Sequence, residues 1–295
     1  MTEQPAPRPR FDPLARRSWT DLGPRLISAA VLLAMAVAGL YFGSYVFAAL
    51  VGAVFAGCYR EWDRMVTLRP LSKVGIALIA LLALAALIYP LFGVMGSLAV
   101  LAVAAVTATL DGSISRSWRV AGVVFYGVVI LAVLTIRGEA TWHMPGSFDS
   151  GLWAGVFLGT VVWATDTGAY FTGRQVGGEK LAPDISPSKT WSGAIGGLAL
   201  GTLAGLVVWL LVVPQSPWWI GLVIAATTSI LAQVGDLSES AIKRRFRVKD
   251  SGDIIPGHGG LMDRLDSLTF GALFFCVLGL VHGGTGAVAA GVLFW

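Results

Sequence analysis

The chain has 295 residues, of which 56% are hydrophobic and only 13% are charged, and its mean hydropathy is +0.75. Ordinary globular domains contain about 25% charged residues. The composition therefore excludes a soluble enzyme with a single anchor and predicts an all-α protein with several transmembrane helices. The net charge of +4 does not indicate nucleic-acid binding, because Lys and Arg in a membrane protein first indicate orientation. The two cysteines, Cys58 and Cys276, lack metal-ligand spacing.

Residues 1–23 are polar and proline-rich and are predicted to form a disordered cytoplasmic tail. About nine apolar segments follow, most of them near the 17 to 20 residues, roughly, that a spanning helix needs. They lie at about 25–42, 44–58, 74–91, 93–110, 119–136, 151–172, 192–213, 217–236 and 268–293. We assign 24–150 to N-terminal transmembrane helices and 151–295 to a C-terminal transmembrane catalytic region with cytoplasmic loops 173–191 and 237–267.

The distribution of basic residues predicts the orientation of these spans. With a cytoplasmic N-terminus, the alternation of nine spans places all of the 21 Lys and Arg residues except Arg137 on the cytoplasmic side. This is the positive-inside pattern, and it would disappear if one middle span were assigned wrongly. The N-terminus is therefore predicted to be cytoplasmic, and the C-terminus at Trp295 to lie outside.

The segment Ser240–Asp266 is the most polar part of the chain. It contains a basic run over residues 243–249, then several aspartates with a Gly-His-Gly-Gly sequence at 257–260. Lys and Arg bind phosphate oxygens, carboxylates bind Mg2+, and glycine lets backbone N–H groups approach an anion. The combination predicts metal-assisted phosphoryl or nucleotidyl transfer. A basic loop that only orients the protein would explain the cations, but not the glycines and spaced aspartates.

Two aspartates are predicted to lie where helices meet the cytoplasmic boundary. Asp236 is placed where the chain leaves the membrane and Asp263 where it is about to re-enter. Chain reversal can bring them together, so we interpret them as candidate metal ligands. Asp266 shares a face with Asp263 if this segment is helical. His258, between glycines, is interpreted as a phosphate or nucleotide contact, because no second His or Cys is nearby.

A second polar region precedes the seventh apolar segment. Asp166 lies within the sixth segment, where a carboxylate is costly unless it is paired, hydrated or metal-bound, so it is a functional candidate. The alternative is that it only ties helices together. Ser186, Lys189 and Thr190 directly precede a helix start, where free N–H groups favour a phosphate. Simple capping by Ser or Thr is the alternative, but it does not explain Lys189.

At these residues the chain resembles the phosphatidate cytidylyltransferase (CDP-diacylglycerol synthase) family. The segments Asp166–Tyr170 and Ser186–Trp191 are similar to two upstream motifs of the family, except that Ser188 and Ser192 stand where Lys and often Glu are usual. The C-terminal signature of the family matches without a gap at Ser240, Ile242, Lys243, Arg244, Lys249, Asp250, Gly252, Ile255, Pro256, His258, Gly259, Gly260, Leu261, Asp263, Arg264, Leu265 and Asp266.

The resemblance implies transfer of CMP from CTP to phosphatidate, which gives CDP-diacylglycerol and pyrophosphate for phospholipid biosynthesis. The active site would face the cytoplasm at the cell (inner) membrane, with Mg2+ and a second cation, for which K+ is a candidate, bound by Asp236 and Asp263. The expected partners are CTP, phosphatidate, the lipid bilayer and a second copy in a homodimer, without nucleic acid. The expected catalytic residues are Asp236, Asp263, Lys189, Lys243 and Arg244. The expected substrate-binding residues are Asp166, Ser186, Thr190, Ser240, Lys249, Asp250, His258, Gly259, Gly260, Arg264 and Asp266.

Three other functions were weighed against this one. A CDP-alcohol phosphatidyltransferase needs a cluster of aspartates that begins Asp-Gly, continues with Ala-Arg and ends with two further Asp at helical spacing. Asp111-Gly112 is followed by Ser113-Ile114-Ser115-Arg116 and by no such pair of Asp. A CTP-dependent lipid-alcohol kinase would share the nucleotide and the membrane location. A transporter of anionic substrates would use Asp166 and Asp236 as midplane sites, but transporters often show inverted repeats and none is visible in this sequence.

Overall fold

The computed structural model describes residues 22–112, 114–138, 148–252, 254 and 259–295, with side chains from residue 30 onward. The helices of this part of the chain are α1 Leu22–Phe42, α2 Ser44–Thr67, α3 Lys73–Thr109, α4 Arg116–Arg137, α5 Ser150–Gln175, α6 Trp191–Val212, α7 Trp218–Arg245, α8 Asp266–Gly283 and α9 Val288–Leu293. The prediction of an all-α protein is confirmed. One small antiparallel hairpin, β1 Lys180–Ala182 and β2 Ser186–Thr190, lies within the predicted loop 173–191.

Among the described residues, five helices are long and apolar enough to cross a membrane: α3, α4, α6, α7 and α8. The chain is therefore a multi-pass membrane protein, as predicted. The number of spans, the cytoplasmic N-terminus and the division of the chain at residue 150 stay predictions. The predicted tail lies outside the described residues, except for its last two positions, which begin α1.

A glycine reverses the chain in the middle of α3. Gly93 has φ 59° and ψ −155°, a backbone conformation that glycine adopts readily and other residues rarely do. The Ser97 hydroxyl donates to the Ala85 carbonyl at 2.7 Å, although twelve residues along a straight helix would span about 18 Å. The element is therefore two helices that fold back on each other, in agreement with the predicted boundary between 91 and 93. Gly43, with φ 57° and ψ −154°, separates α1 from α2 in the same way.

Three predicted boundaries are wrong. Helix α2 continues to Thr67 rather than ending near 58, and α7 continues to Arg245 rather than ending at 236. The last segment, 268–293, contains two helices separated at Gly284, and α9 is too short to cross a membrane. Hydropathy marks where apolar side chains end, whereas the helical hydrogen bonds continue through the charged turns. The start of the predicted loop 237–267 is thus the end of α7.

The helices pack around two apolar cores. The first is formed mainly by α2, α3 and α4, and the second mainly by α5 to α9. Within the second, α6 buries a glycine at every fourth position from Gly193 to Gly205 against its neighbours. A Cβ at Gly168 of α5 would lie 2.7 Å from the backbone oxygen of Gly196. Such small residues let helix backbones approach closely in a membrane, and this contact holds the end of α5 beside the start of α6.

Candidate active site

The first contact of the site joins β2 to α7. The Lys189 ammonium lies 2.7 Å from an Asp236 carboxylate oxygen, and the two side chains are 22% and 37% exposed. Hairpin residues are placed here because Trp191 N–H donates to the Glu179 carbonyl at 3.0 Å, which closes the hairpin over the start of α6. The structure thus brings together two segments that the sequence analysis singled out separately.

The second contact lies one to two turns further along α7. Lys243 pairs with Glu239 at 3.0 Å and also with Asp263, in the 3-10 turn Met262–Arg264. The second carboxylate oxygen of Asp263 accepts hydrogen bonds from the backbone N–H groups of Ser251, at 3.1 Å, and Gly260, at 3.2 Å. Burial would raise the pKa of Asp263, but hydrogen bonds with Lys243 and Glu239 lower this pKa to about 2. Asp263 is therefore ionised at neutral pH.

Two further aspartates lie beside Asp236. Asp166 of α5 accepts a hydrogen bond from the Ser267 hydroxyl at 3.3 Å, and Asp266 accepts one from the Ser267 backbone N–H at 2.7 Å. Asp236 is close enough to interact electrostatically with both aspartates. Three helices, α5, α7 and α8, therefore contribute carboxylates to one region.

The composition of this region fits a hard cation. It contains five acidic side chains and only two lysines, and the acidic side chains are those of Asp166, Asp236, Glu239, Asp263 and Asp266. Within the described residues, no three His, Cys, Asp or Glu side chains are grouped closely enough to hold a metal ion by themselves. Mg2+ commonly uses only one or two carboxylates together with substrate phosphates, so the donor set is suitable. Asp236 and Asp263 pair with different lysines, and their predicted sharing of a cation stays a prediction.

The hairpin residues have more local partners. The Thr190 hydroxyl accepts from the Gly193 N–H at 3.1 Å and caps α6, so the simple capping explanation accounts for this residue. Ser186 is buried in β2, with its hydroxyl 3.4 Å from that of Ser188. Arg244 donates to the Ile185 carbonyl at 3.1 Å and thereby ties the end of α7 to the hairpin turn.

The remaining predicted substrate-binding residues lie on and after α7. Ser240 is half-buried in the helix, whereas Lys249, Asp250 and Arg264 are exposed. Gly259 has φ +82°, and a Cβ at Gly260 would lie 1.9 Å from the Ser251 hydroxyl, so the loop needs glycine at both positions. His258 lies outside the described residues.

A model of the cytidylyltransferase family matches residues 23–282. The chain belongs to this cytidylyltransferase family. It is 45% identical over 166 residues to a phosphatidate cytidylyltransferase of Brucella suis, covering 56% of this chain and 58% of that protein. A protein of the same name from Staphylococcus saprophyticus is 49% identical over 122 residues, which cover 41% of this chain and 47% of that protein. One from Bacillus subtilis is 46% identical over 110 residues, which cover 37% of this chain and 41% of that protein. The chain thus spans about half the length of the curated relatives it matches.

In this family member, sequence reasoning missed a buried glutamate. Glu61 of α2 is 1% exposed and accepts hydrogen bonds from the Ser251 hydroxyl and the Leu261 and Met262 N–H groups. Glu61 follows the predicted apolar segment 44–58 and was not among the candidate residues. The available signal was the pair of acids Glu61 and Asp63 on either side of the aromatic Trp62.

Sequence reasoning also treated Arg119 only as an orientation signal. In the structure Arg119 is buried and contacts Asp63 at 2.7 Å, Asp111 at 2.5 Å and Ser72 at 3.1 Å. These contacts join the end of α2, the start of α3 and the start of α4. Arg119 therefore has a structural role in the N-terminal helices.

Proposed function

We propose that this protein is a phosphatidate cytidylyltransferase, which transfers CMP from CTP to phosphatidate and gives CDP-diacylglycerol and pyrophosphate. The observation that carries the proposal is the lysine and carboxylate cluster around Lys189, Asp236, Lys243 and Asp263. Two stretches of the sequence supply this cluster in a helical membrane protein: the hairpin, with Lys189, and the region from Asp236 to Asp263. The name shared by the relatives supports the same activity.

The reaction needs two anions to be brought together. A phosphate oxygen of phosphatidate forms a bond to the α-phosphorus of CTP, and the bond from that phosphorus to the bridging oxygen of the β-phosphate breaks. Pyrophosphate leaves with the bonding electron pair. The second pKa of a phosphomonoester lies near 6, so the nucleophilic oxygen is largely ionised at pH 7 without a strong protein base.

The two lysines provide the positive charge for these anions. Lys189 and Lys243 contact Asp236 and Asp263, whose side chains are 37% and 18% exposed, so in the proposed complex a phosphate oxygen replaces a carboxylate as the partner of each ammonium group. Asp236 and Asp263 would hold Mg2+, with K+ as a candidate second cation, which supplies charge neutralisation for the pyrophosphate leaving group. Groups that are already in position cost no reorganisation during the reaction.

The proposed location follows from the two substrates. Phosphatidate is a membrane lipid, whereas CTP is dissolved in the cytoplasm, so a site at the cytoplasmic face of the cell (inner) membrane is accessible to both. The basic residues near the cluster agree with that side of the membrane. We also propose that the protein forms a homodimer. The molecular mass of the purified protein in detergent tests this.

The test uses purified protein, phosphatidate, Mg2+ and CTP labelled either in cytidine or in the γ-phosphate. Cytidine label in the lipid, with one pyrophosphate released per lipid, is the expected result. Label from the γ-phosphate in the lipid would identify a lipid kinase instead. The absence of labelled lipid with folded, purified protein would overturn the proposal, and the Asp236→Asn variant provides the matched background.

A further inference from the structure

We propose that Glu61 is a positioning residue, which acts through Ser251 on the loop that carries Asp263. The inference rests on the proposed function, since it assigns a role within that site. Glu61 belongs to α2 in the N-terminal half of the chain, whereas the segment that it holds lies about 190 to 200 residues later.

Among the described residues, the donors to the Glu61 carboxylate come from this loop and the turn that follows it. One oxygen accepts from Leu261 N–H at 3.0 Å, and the other accepts from Met262 N–H at 2.9 Å. The Ser251 hydroxyl lies 3.0 Å from the second oxygen. A buried carboxylate is costly unless such donors offset the lost hydration. Glu61 therefore fixes both ends of the segment 251–262 to a rigid helix.

Two glycines of the loop approach this carboxylate closely. A Cβ at Gly252 would lie 2.6 Å from a Glu61 oxygen, and one at Gly260 would lie 2.8 Å from the other. One turn earlier on α2, a Cβ at Gly57 would lie 2.8 Å from the Leu261 side chain. The backbone of the loop is thus shaped around Glu61 rather than merely touching it.

Ser251 connects Glu61 to Asp263. Its hydroxyl lies 3.0 Å from a Glu61 oxygen and 2.9 Å from an Asp263 oxygen. A hydroxyl has one proton to donate, so the two carboxylates share a single donor. If Asp263 takes a cation as its partner, the hydroxyl turns to Glu61 and the loop keeps its anchor. Glu61 thereby allows Asp263 to change partners without a change in loop position.

The experiment compares Glu61→Gln with Asp63→Asn. Asp63 is a matched control because it is equally buried on the same helix but pairs with Arg119. Glu61→Gln places an amide donor against a backbone N–H, and we expect kcat to fall about 100-fold while KM for CTP changes less than about threefold. Asp63→Asn is expected to lower the thermal midpoint at least as much as Glu61→Gln does. Its kcat per folded molecule is expected to stay near the wild-type value.

A second readout does not depend on activity. Hydrogen exchange at the amides of Leu261 and Met262 is expected to accelerate at least about tenfold in Glu61→Gln and to stay unchanged in Asp63→Asn. If wild-type protein makes no cytidine-labelled lipid, the proposed function fails while this measurement still tests the loop contact. If Glu61→Gln does not purify, Ser251→Ala removes one donor and is expected to lower kcat about tenfold.

Two outcomes would overturn the proposal. One is unchanged exchange at both loop amides in Glu61→Gln. The other is a loss of kcat that follows the loss of thermal stability equally in Glu61→Gln and Asp63→Asn, which would make Glu61 a structural residue only.

Discussion

Two kinds of ion pair lie in this bundle of helices. Arg119 and Asp63 form a closed pair, with side chains 5% and 0% exposed, and the guanidinium also contacts Asp111 and Ser72. Lys189 and Asp236 form an open pair, with side chains 22% and 37% exposed. Arginine therefore joins helices in the N-terminal half, whereas lysine meets carboxylates in the candidate site.

The difference between these pairs is chemical as well as positional. Arginine presents a rigid fork of donors, and Arg119 uses that fork on several acceptors at once, so few of its donors remain for another ligand. Lysine is a compact charge on a flexible stem. An open lysine pair can exchange its carboxylate for a phosphate oxygen, which a closed arginine pair cannot do without unfolding its surroundings. The variants below test this distinction.

The largest effect is expected at Asp236, the carboxylate of the open pair, and at Asp263, the partner of Lys243. Asp236→Asn and Asp263→Asn keep size and one oxygen ligand but remove the charge that binds a hard cation. We predict that each lowers turnover at least about a thousandfold, or about 4 kcal/mol of activation free energy, while the protein still inserts and purifies. Steady-state rates of cytidine transfer measure the effect.

Asp253→Asn is the control for this pair of variants. Asp253 lies outside both the family signature and the described residues, and its replacement is expected to leave turnover nearly unchanged. Near-normal activity with Asn at 236 or 263 would refute the two-carboxylate centre. Loss of folded protein would instead mean that these aspartates tie helices together, as the closed pairs do.

The closed pair is expected to affect stability rather than chemistry. Arg119→Gln leaves buried Asp63 without its cation, and breaking a buried pair in this way costs about 3 kcal/mol or more. We predict a lower thermal midpoint in detergent with an unchanged KM for CTP in the protein that remains folded. A raised KM at unchanged stability would show that the closed pair contributes to substrate binding.

Smaller effects are expected for the basic residues of α7. Lys243→Ala and Arg244→Ala each remove a charged donor, which is worth about 1.5–3 kcal/mol in kcat/KM if it binds a phosphate. Arg245→Ala is the matched control, because Arg245 is the next residue of the same exposed turn and lies outside the family signature. An equal loss in Arg245→Ala would contradict our division of the basic run.

Thiol labelling tests on which side of the membrane the open pair lies. In a variant without Cys58 and Cys276, a cysteine that replaces Arg245 is expected to resist an impermeant thiol reagent in intact cells. A cysteine that replaces Gln215, which is exposed between α6 and α7, is expected to react. The reverse labelling pattern would place the candidate site on the side of the membrane without CTP.

Much of the fold could be predicted because membrane spans are long and apolar. The predicted segments separate at 42/44 and at 91/93, and at each place the structure has a glycine with positive φ, Gly43 and Gly93. The ends of α2 and α7 were not predicted, because helical hydrogen bonds continue through charged residues that hydropathy assigns to loops. The division of the last segment was missed, although the sequence His-Gly-Gly-Thr-Gly at 282–286 interrupts its apolar residues.

The site could be predicted in part for a similar reason. Asp236 and Asp263 were found because carboxylates near apolar spans are rare, and Lys189 because capping did not explain a lysine. Their pairing with particular lysines depends on how α7 packs against the hairpin, which no local pattern encodes. Glu61 was missed because its partners lie about 190 to 200 residues away, so its role becomes visible only in three dimensions.

The reversal at Gly93 bears on how the protein is made. A single glycine joins the two halves of α3, and apolar Leu91 and Phe92 are exposed at the tip, where a hydrophilic loop would normally be. Since no polar segment has to be moved across the bilayer, we expect the two halves to enter the membrane together as a hairpin. We expect this pair to take its orientation from the basic residues that precede it, including Arg69 and Lys73, and not from its own tip.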